Sequence, residues 1–60
     1  MPVVTINMIE GRSLEKKHAL IREVTDAVEK TLEAPRQSIR VIIQEVPPEH
    51  WGVAGEPKSR

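Results

Sequence analysis

Apolar and polar residues alternate along Val3-Val4-Thr5-Ile6-Asn7-Met8, with Val4, Ile6 and Met8 on one side and Val3, Thr5 and Asn7 on the other. A period of two predicts a strand, here with one wholly apolar face. Pro2 suits its start, because the first residue need not donate to the ladder. Ile9-Glu10-Gly11-Arg12 reads as a short loop in which Gly11 is free to take a backbone conformation closed to other residues. The period then lengthens. Leu20, Ile21, Val24, Ala27, Val28, Thr31 and Leu32 recur at helical spacing, while Lys16, Lys17, Arg22, Glu23, Asp26, Glu29, Lys30 and Glu33 fall mostly opposite. Ser13 is placed to cap this amphipathic helix, and Glu15 complements the dipole of its first turn. The reciprocal cap is incomplete, since Lys16 stands where Glu or Gln would close it. Pro35 disfavours helical geometry at Ala34 and predicts the stop.

Beyond the connector Arg36-Gln37-Ser38, a second strand is predicted over Ile39 to Val46, with Ile39, Val41 and Ile43 on one face and Arg40, Ile42, Gln44 and Val46 on the other. Strand, helix and strand in this order predict a β-α-β unit of α+β class with two parallel strands and a right-handed crossover. The helix covers one sheet face. Ile42 and Val46 leave the other too apolar for water, and both strands have an open edge. Packing sheet against sheet and edge against edge between subunits removes both faults. Pro47-Pro48-Glu49 predicts a turn. The glycine-rich stretch from His50 to Pro57 has the rhythm of a short C-terminal hairpin that finds its packing on a neighbouring subunit. Lys58-Ser59-Arg60 is expected to fray. Residues 1–60 read as a single domain.

Composition narrows the partners. A chain of sixty residues buries only about 60% of the surface its unfolded form exposes, and such chains need a staple. Cysteine is absent, so oligomerisation is the staple that remains. Nine basic residues balance nine acidic ones and Trp51 is the only aromatic, which argues against nucleic acid as a partner. No apolar run approaches a membrane span, and the first residues lack the pattern of a secretory signal, so a soluble cytoplasmic protein is expected.

A few side chains stand out chemically. With Met1 in place the nitrogen of Pro2 is a tertiary amide, and the residue only starts a strand. With Met1 removed, as is common before a small residue, Pro2 becomes a secondary amine. Desolvation or neighbouring arginines then lower its pKa, leaving free base for proton transfer. Arg12 precedes a helix N-terminus; it is either a solvated charge or, with the free N–H groups there, a receptor for a carboxylate. Arg40 lies among Ile39, Val41, Ile42 and Ile43 and needs a partner, either a structural carboxylate or a carboxylate-bearing ligand matched to its fork. Trp51 is an interface plug or one wall of an apolar pocket. His18 reads as solvated, and His50 borders Trp51. The histidines lack metal-ligand spacing, and no phosphate loop or dinucleotide fingerprint is present, so neither metal nor cofactor is expected.

Pro2 opening an apolar strand, the Glu10-Gly11-Arg12-Ser13 turn into an amphipathic helix, the Ala34-Pro35 stop, Ser38-Ile39-Arg40-Val41-Ile42-Ile43, and the Trp51-Gly52-Val53-Ala54-Gly55-Glu56 tail together closely resemble the 4-oxalocrotonate tautomerase family. The resemblance runs from Pro2 to about Glu56. It implies a β-α-β subunit in a homohexamer, a trimer of dimers, with active sites shared between subunits. It also implies a tautomerase of aromatic catabolism that interconverts keto and enol forms of small 2-hydroxydienoates such as 2-hydroxymuconate. Pro2 would shuttle the proton, Arg40 would bind one substrate carboxylate and the neighbouring oxygen, and Arg12 would hold the far carboxylate. Ser38 and Trp51 would complete the substrate site. Trp51 stands where the family typically has phenylalanine, and its larger ring is able to narrow the pocket.

Two other readings lead elsewhere. A relative that adds water to unsaturated acids needs a carboxylate to activate the water, and the matching stretch beside Trp51 offers Gly52 and Val53. A non-enzymatic oligomeric binding module explains the helix and the sheet face, but not Arg40 among isoleucines together with Arg12 and a trimmable Pro2.

Overall fold

The computed structural model describes residues 1–58. Of the three tail residues expected to fray, Ser59 and Arg60 lie outside the described residues. Lys58 is tied back instead, its N–H donating to the Trp51 carbonyl at 2.7 Å.

Strand β1 (Val3–Ile9), helix α1 (Leu14–Leu32) and strand β2 (Arg40–Val46) follow one another, with a 3-10 turn at Arg36–Ser38 before β2. A second 3-10 turn at Pro48–His50 leads to strands β3 (Gly52–Val53) and β4 (Glu56–Pro57). β1 and β2 are parallel, in a register that sets Val3 against Arg40 and Ile9 against Val46. β3 and β4 form the antiparallel C-terminal hairpin. Its two-residue loop has φ of 54° at Ala54 and 84° at Gly55, the mirror-image turn whose twist matches that of the strands it joins. β1 runs one residue past the expected Met8, because the Glu10 N–H donates to the Val46 carbonyl at 3.0 Å and keeps Ile9 in the ladder.

Ser13 caps α1 as predicted: it is extended, with φ −67° and ψ 157°, and its hydroxyl accepts from the Lys16 N–H at 3.1 Å. Gly11, just before it, has φ +132°, which L side chains rarely adopt. The helix ends earlier than Pro35 alone requires. Glu33 turns left-handed at φ 55° and closes it after Leu32.

Packing explains which helix residues are covered. Leu20, Ile21, Val24 and Val28 are half-buried, whereas Ala27, Thr31 and Leu32 of the predicted stripe are exposed. A helix of 19 residues is about 28 Å long and a strand of seven about 20 Å, so the helix outruns the sheet and leaves Thr31 and Leu32 of its last turn uncovered. Lys17, expected on the polar side, is half-buried. Its ammonium lies 2.9 Å from Glu45, near the end of β2.

A single chain builds very little interior. Among the described residues Ile39, 8% exposed, is the one buried hydrophobic residue, whereas Val3 is 57% and Ile42 45% exposed on the sheet face away from the helix. The radius of gyration is 14.2 Å, against about 10 Å for a compact chain of this length. The shape is a slab of 42 × 24 × 14 Å. It is one helix and one sheet thick, so the far face of the sheet has nothing from its own chain to pack on.

Two substitutions at the ends of α1 should act in opposite directions. Ser13→Ala removes the side-chain cap and should lower stability by about 1 kcal/mol. Glu33→Gly relieves the left-handed backbone and removes an anion from the negative end of the helix dipole; it should raise stability by up to about 1 kcal/mol. Urea unfolding at one fixed protein concentration checks both, because any coupling to assembly would make the midpoint concentration-dependent.

Candidate active site

The head of the parallel pair brings two of the singled-out residues together. The Arg40 N–H donates to the Pro2 carbonyl at 3.0 Å, immediately ahead of the Val3–Arg40 rung. Pro2 is half-buried there, and Met1, 86% exposed, projects from it. While Met1 is attached, the Pro2 nitrogen is an amide without a basic lone pair. Its removal would put a secondary amine at the edge of the sheet, beside the strand that carries Arg40.

The Arg40 side chain is exposed, and its partners differ from the carboxylate considered above. Nη1 donates to the Gln37 carbonyl at 2.7 Å and has a longer contact with the Ile39 carbonyl at 3.5 Å. The 3-10 turn explains why the Gln37 carbonyl is open. Two of its backbone bonds run three residues back, from the Ser38 N–H to the Pro35 carbonyl at 2.9 Å and from the Ile39 N–H to the Arg36 carbonyl at 3.2 Å. The next in the series would take the Arg40 N–H to Gln37, but that N–H is committed to Pro2. The guanidinium takes the vacant acceptor. A neutral carbonyl orients the cation without neutralising it, and a guanidinium has five N–H donors, so Arg40 keeps both charge and donors for an anion. Ser38 lies in the same turn, where its hydroxyl donates to the Pro35 carbonyl at 2.8 Å and braces the loop.

Arg12 and Trp51 lie elsewhere. Because β1 and β2 are parallel, their heads carry Pro2 and Arg40, while their tails lead into the Gly11-Arg12 loop and the Pro47–Trp51 segment. The two ends are separated by the length of seven-residue strands, about 20 Å. Arg12 is exposed. Trp51 is half-buried, with its N–H donating to Pro48 at 3.1 Å and its carbonyl accepting from Lys58. Among the described residues, no carboxylate lies within ion-pair distance of Arg12 or Arg40, and no group of three His, Asp or Glu side chains gathers as a metal site. One chain therefore carries Pro2 and Arg40 at one end and Arg12 and Trp51 at the other.

Sequence reasoning treated Arg36 as a connector, and the structure gives it a larger role. Its Nη1 lies 2.9 Å from Asp26 and 2.6 Å from Glu29, both on α1. Hydrogen bonds to Asp26 and then Glu29 raise its pKa, holding it firmly cationic. A signal was present in the sequence: Asp26 and Glu29 are three apart and so share a helix face, and Pro35 turns the chain back toward them just before Arg36.

Comparison with known proteins agrees with this architecture. The family model described as tautomerase enzyme matches residues 2–60. A probable tautomerase of Ralstonia nicotianae is 61% identical over 59 residues, covering 98% of this chain and 84% of that protein. The 2-hydroxymuconate tautomerase of Pseudomonas putida is 48% identical over 60 residues, covering 100% of this chain and 95% of that protein. Among solved structures, a heterohexamer 4-oxalocrotonate tautomerase from Chloroflexus aurantiacus superposes with a TM-score of 0.92 at 43% identity, covering 97% of this chain and 94% of that one. The parallel β-α-β unit headed by Pro2, and similarity of this depth along nearly the whole chain, show that the protein belongs to the tautomerase family and is an isomerase.

Proposed function

We propose that the chain, once Met1 is removed, catalyses keto-enol tautomerisation of small 2-hydroxydienoates such as 2-hydroxymuconate in the cytoplasm, as a step of aromatic catabolism. The observation that carries this reading is the bond between the Arg40 amide and the Pro2 carbonyl. It fixes an uncompensated guanidinium on the strand next to the residue whose nitrogen becomes the base.

The free amine of Pro2 takes the proton of the substrate's 2-hydroxyl. As that O–H bond breaks, its electron pair forms the 2-keto group, and the conjugated system carries the displaced electrons to a distant carbon. That carbon recovers the proton from the Pro2 ammonium, so the amine is regenerated and the reaction is a net isomerisation. Arg40 binds the nearby carboxylate and the developing oxyanion, which stabilises charge where it appears during reaction. Arg12 binds the far carboxylate and Trp51 forms the apolar wall, with Ser38 beside them at the substrate. Such a substrate is far shorter than the about 20 Å between the two ends of one chain. The Pro2 end of one chain therefore meets the Arg12 and Trp51 end of another, within a homohexamer built as a trimer of dimers. The exposed sheet face around Val3 and Ile42 supplies apolar surface for that assembly.

Two outcomes test the assignment. Ketonisation of 2-hydroxymuconate, followed by its ultraviolet absorbance, should track the fraction of protein whose intact mass begins at Pro2. Chain retaining Met1 should lose the rate factor of about 100 to 10,000 that a positioned base contributes. For trimmed protein, kcat/KM should fall with acid, because protonation removes the lone pair, and rise with pH through the pKa of the amine. No turnover by trimmed, assembled protein would rule out this substrate. Separately, Arg40→Ala should cost about 1.5–3 kcal/mol of charge-assisted binding, about ten- to a hundredfold in kcat/KM, with the assembly intact by sedimentation. Collapse of the assembly instead would make Arg40 a structural cation.

A further inference from the structure

The mechanism above asks Arg40 to present its guanidinium in one orientation, yet the side chain is long, exposed and held by a single short bond to a backbone carbonyl. That bond orients the head group only as well as the Gln37 carbonyl is itself held. The carbonyl belongs to the three-residue 3-10 turn Arg36–Ser38, whose backbone hydrogen bonds, to the Pro35 and Arg36 carbonyls, are local to the turn and tie it to neither α1 nor the sheet.

The two ends of this turn are fastened differently. Ile39 follows it and is buried. Arg36 opens it, and its guanidinium reaches back across the chain reversal to Asp26 at 2.9 Å and Glu29 at 2.6 Å on α1. The hydroxyl of Ser38 closes the turn on itself by donating to the Pro35 carbonyl, not to a group on the helix. Arg36 is thus the side chain through which the covered body of the subunit holds the turn, and a continuous path of contacts runs from Asp26 and Glu29 through Arg36 and Gln37 to the Arg40 head group. Each member of the ion triad is roughly half exposed. Ion pairs in that setting add little to stability, so what the triad fixes is position.

Resting on the tautomerase mechanism proposed above, we propose that Arg36, clamped by Asp26 and Glu29, is a positioning residue: it holds the Gln37 carbonyl where that carbonyl aims the Arg40 guanidinium at the substrate carboxylate. Arg36 touches neither substrate nor reacting atoms. Its effect passes wholly through Arg40.

A double-mutant cycle in trimmed, assembled protein tests this. With 2-hydroxymuconate, Arg36→Gln should lower kcat/KM on the order of tenfold, the scale of cost that loss of orientation brings, while the unfolding midpoint and sedimentation stay unchanged. Arg36→Lys, which keeps a cation for one carboxylate, should recover part of the loss. In the Arg40→Ala background, Arg36→Gln should have less than about a twofold further effect, because the group it positions is gone. Equal losses in both backgrounds would overturn the proposal. A second measurement does not depend on turnover: the Arg40 Nε–Hε order parameter by nitrogen-15 relaxation should be high in the wild type and fall in Arg36→Gln and in Asp26→Asn/Glu29→Gln. An unchanged order parameter would overturn the clamp even if the enzyme is active. Absence of wild-type turnover with a falling order parameter would reject the substrate assignment and leave the clamp standing.

Discussion

One backbone hydrogen bond, from the Arg40 amide to the Pro2 carbonyl, settles more of this molecule than any other contact. It begins the parallel ladder, and so it sets which residues of β1 and β2 face the helix. A slip of one residue would turn every side chain of a strand to the opposite face, sending Val41 and Ile43 outward and Arg40 into the layer beneath α1. The same bond withdraws the Arg40 N–H from the preceding 3-10 turn, leaving the Gln37 carbonyl open for the Arg40 side chain. Strand register and guanidinium orientation are thus two results of one pairing, and both converge on the residue whose nitrogen becomes the proposed base.

The arginines divide by what surrounds them. Arg36 is paired through Nη1 with two carboxylates and serves the fold. Arg40 is held only by carbonyls, while Arg12 stands exposed at the entrance to α1. Neutral partners fix a cation without consuming its charge, and that is the condition for receiving a substrate carboxylate. A chain with zero formal net charge can therefore hold local anion receptors, because its carboxylates are placed where they stiffen the scaffold, Asp26 and Glu29 against Arg36 and Glu45 against Lys17.

The slab shape has a functional consequence. One helix on a two-stranded sheet leaves an apolar face without cover, and parallel strands keep the Pro2 end remote from the Arg12 and Trp51 end. The proposed association of subunits would answer both needs, burying the face around Ile42 and bringing a head end against a tail end. In that assembly stability and activity would be coupled, because the apolar surface to be buried adjoins the end that carries Pro2 and Arg40.

Much of this was legible in the residues alone. Period-two and helical patterns located β1, α1 and β2, and Ser13 was recognisable as the cap, because periodicity and capping are local properties written over a few neighbouring positions; Pro2, Arg12, Arg40 and Trp51 were singled out as candidates by their chemistry. What escaped were features made by residues distant in the chain. Glu33 closes α1 in a left-handed conformation that its side chain does not advertise, and Thr31 and Leu32 are exposed because the helix is longer than the sheet it covers. Lys17 finds Glu45, and Arg36 finds Asp26 and Glu29, only after the chain has turned back on α1. The partner of Arg40 was unreadable for the same reason: a carbonyl is present at every residue, and the one that Arg40 meets at Gln37 became available only when strand pairing drew a single N–H away.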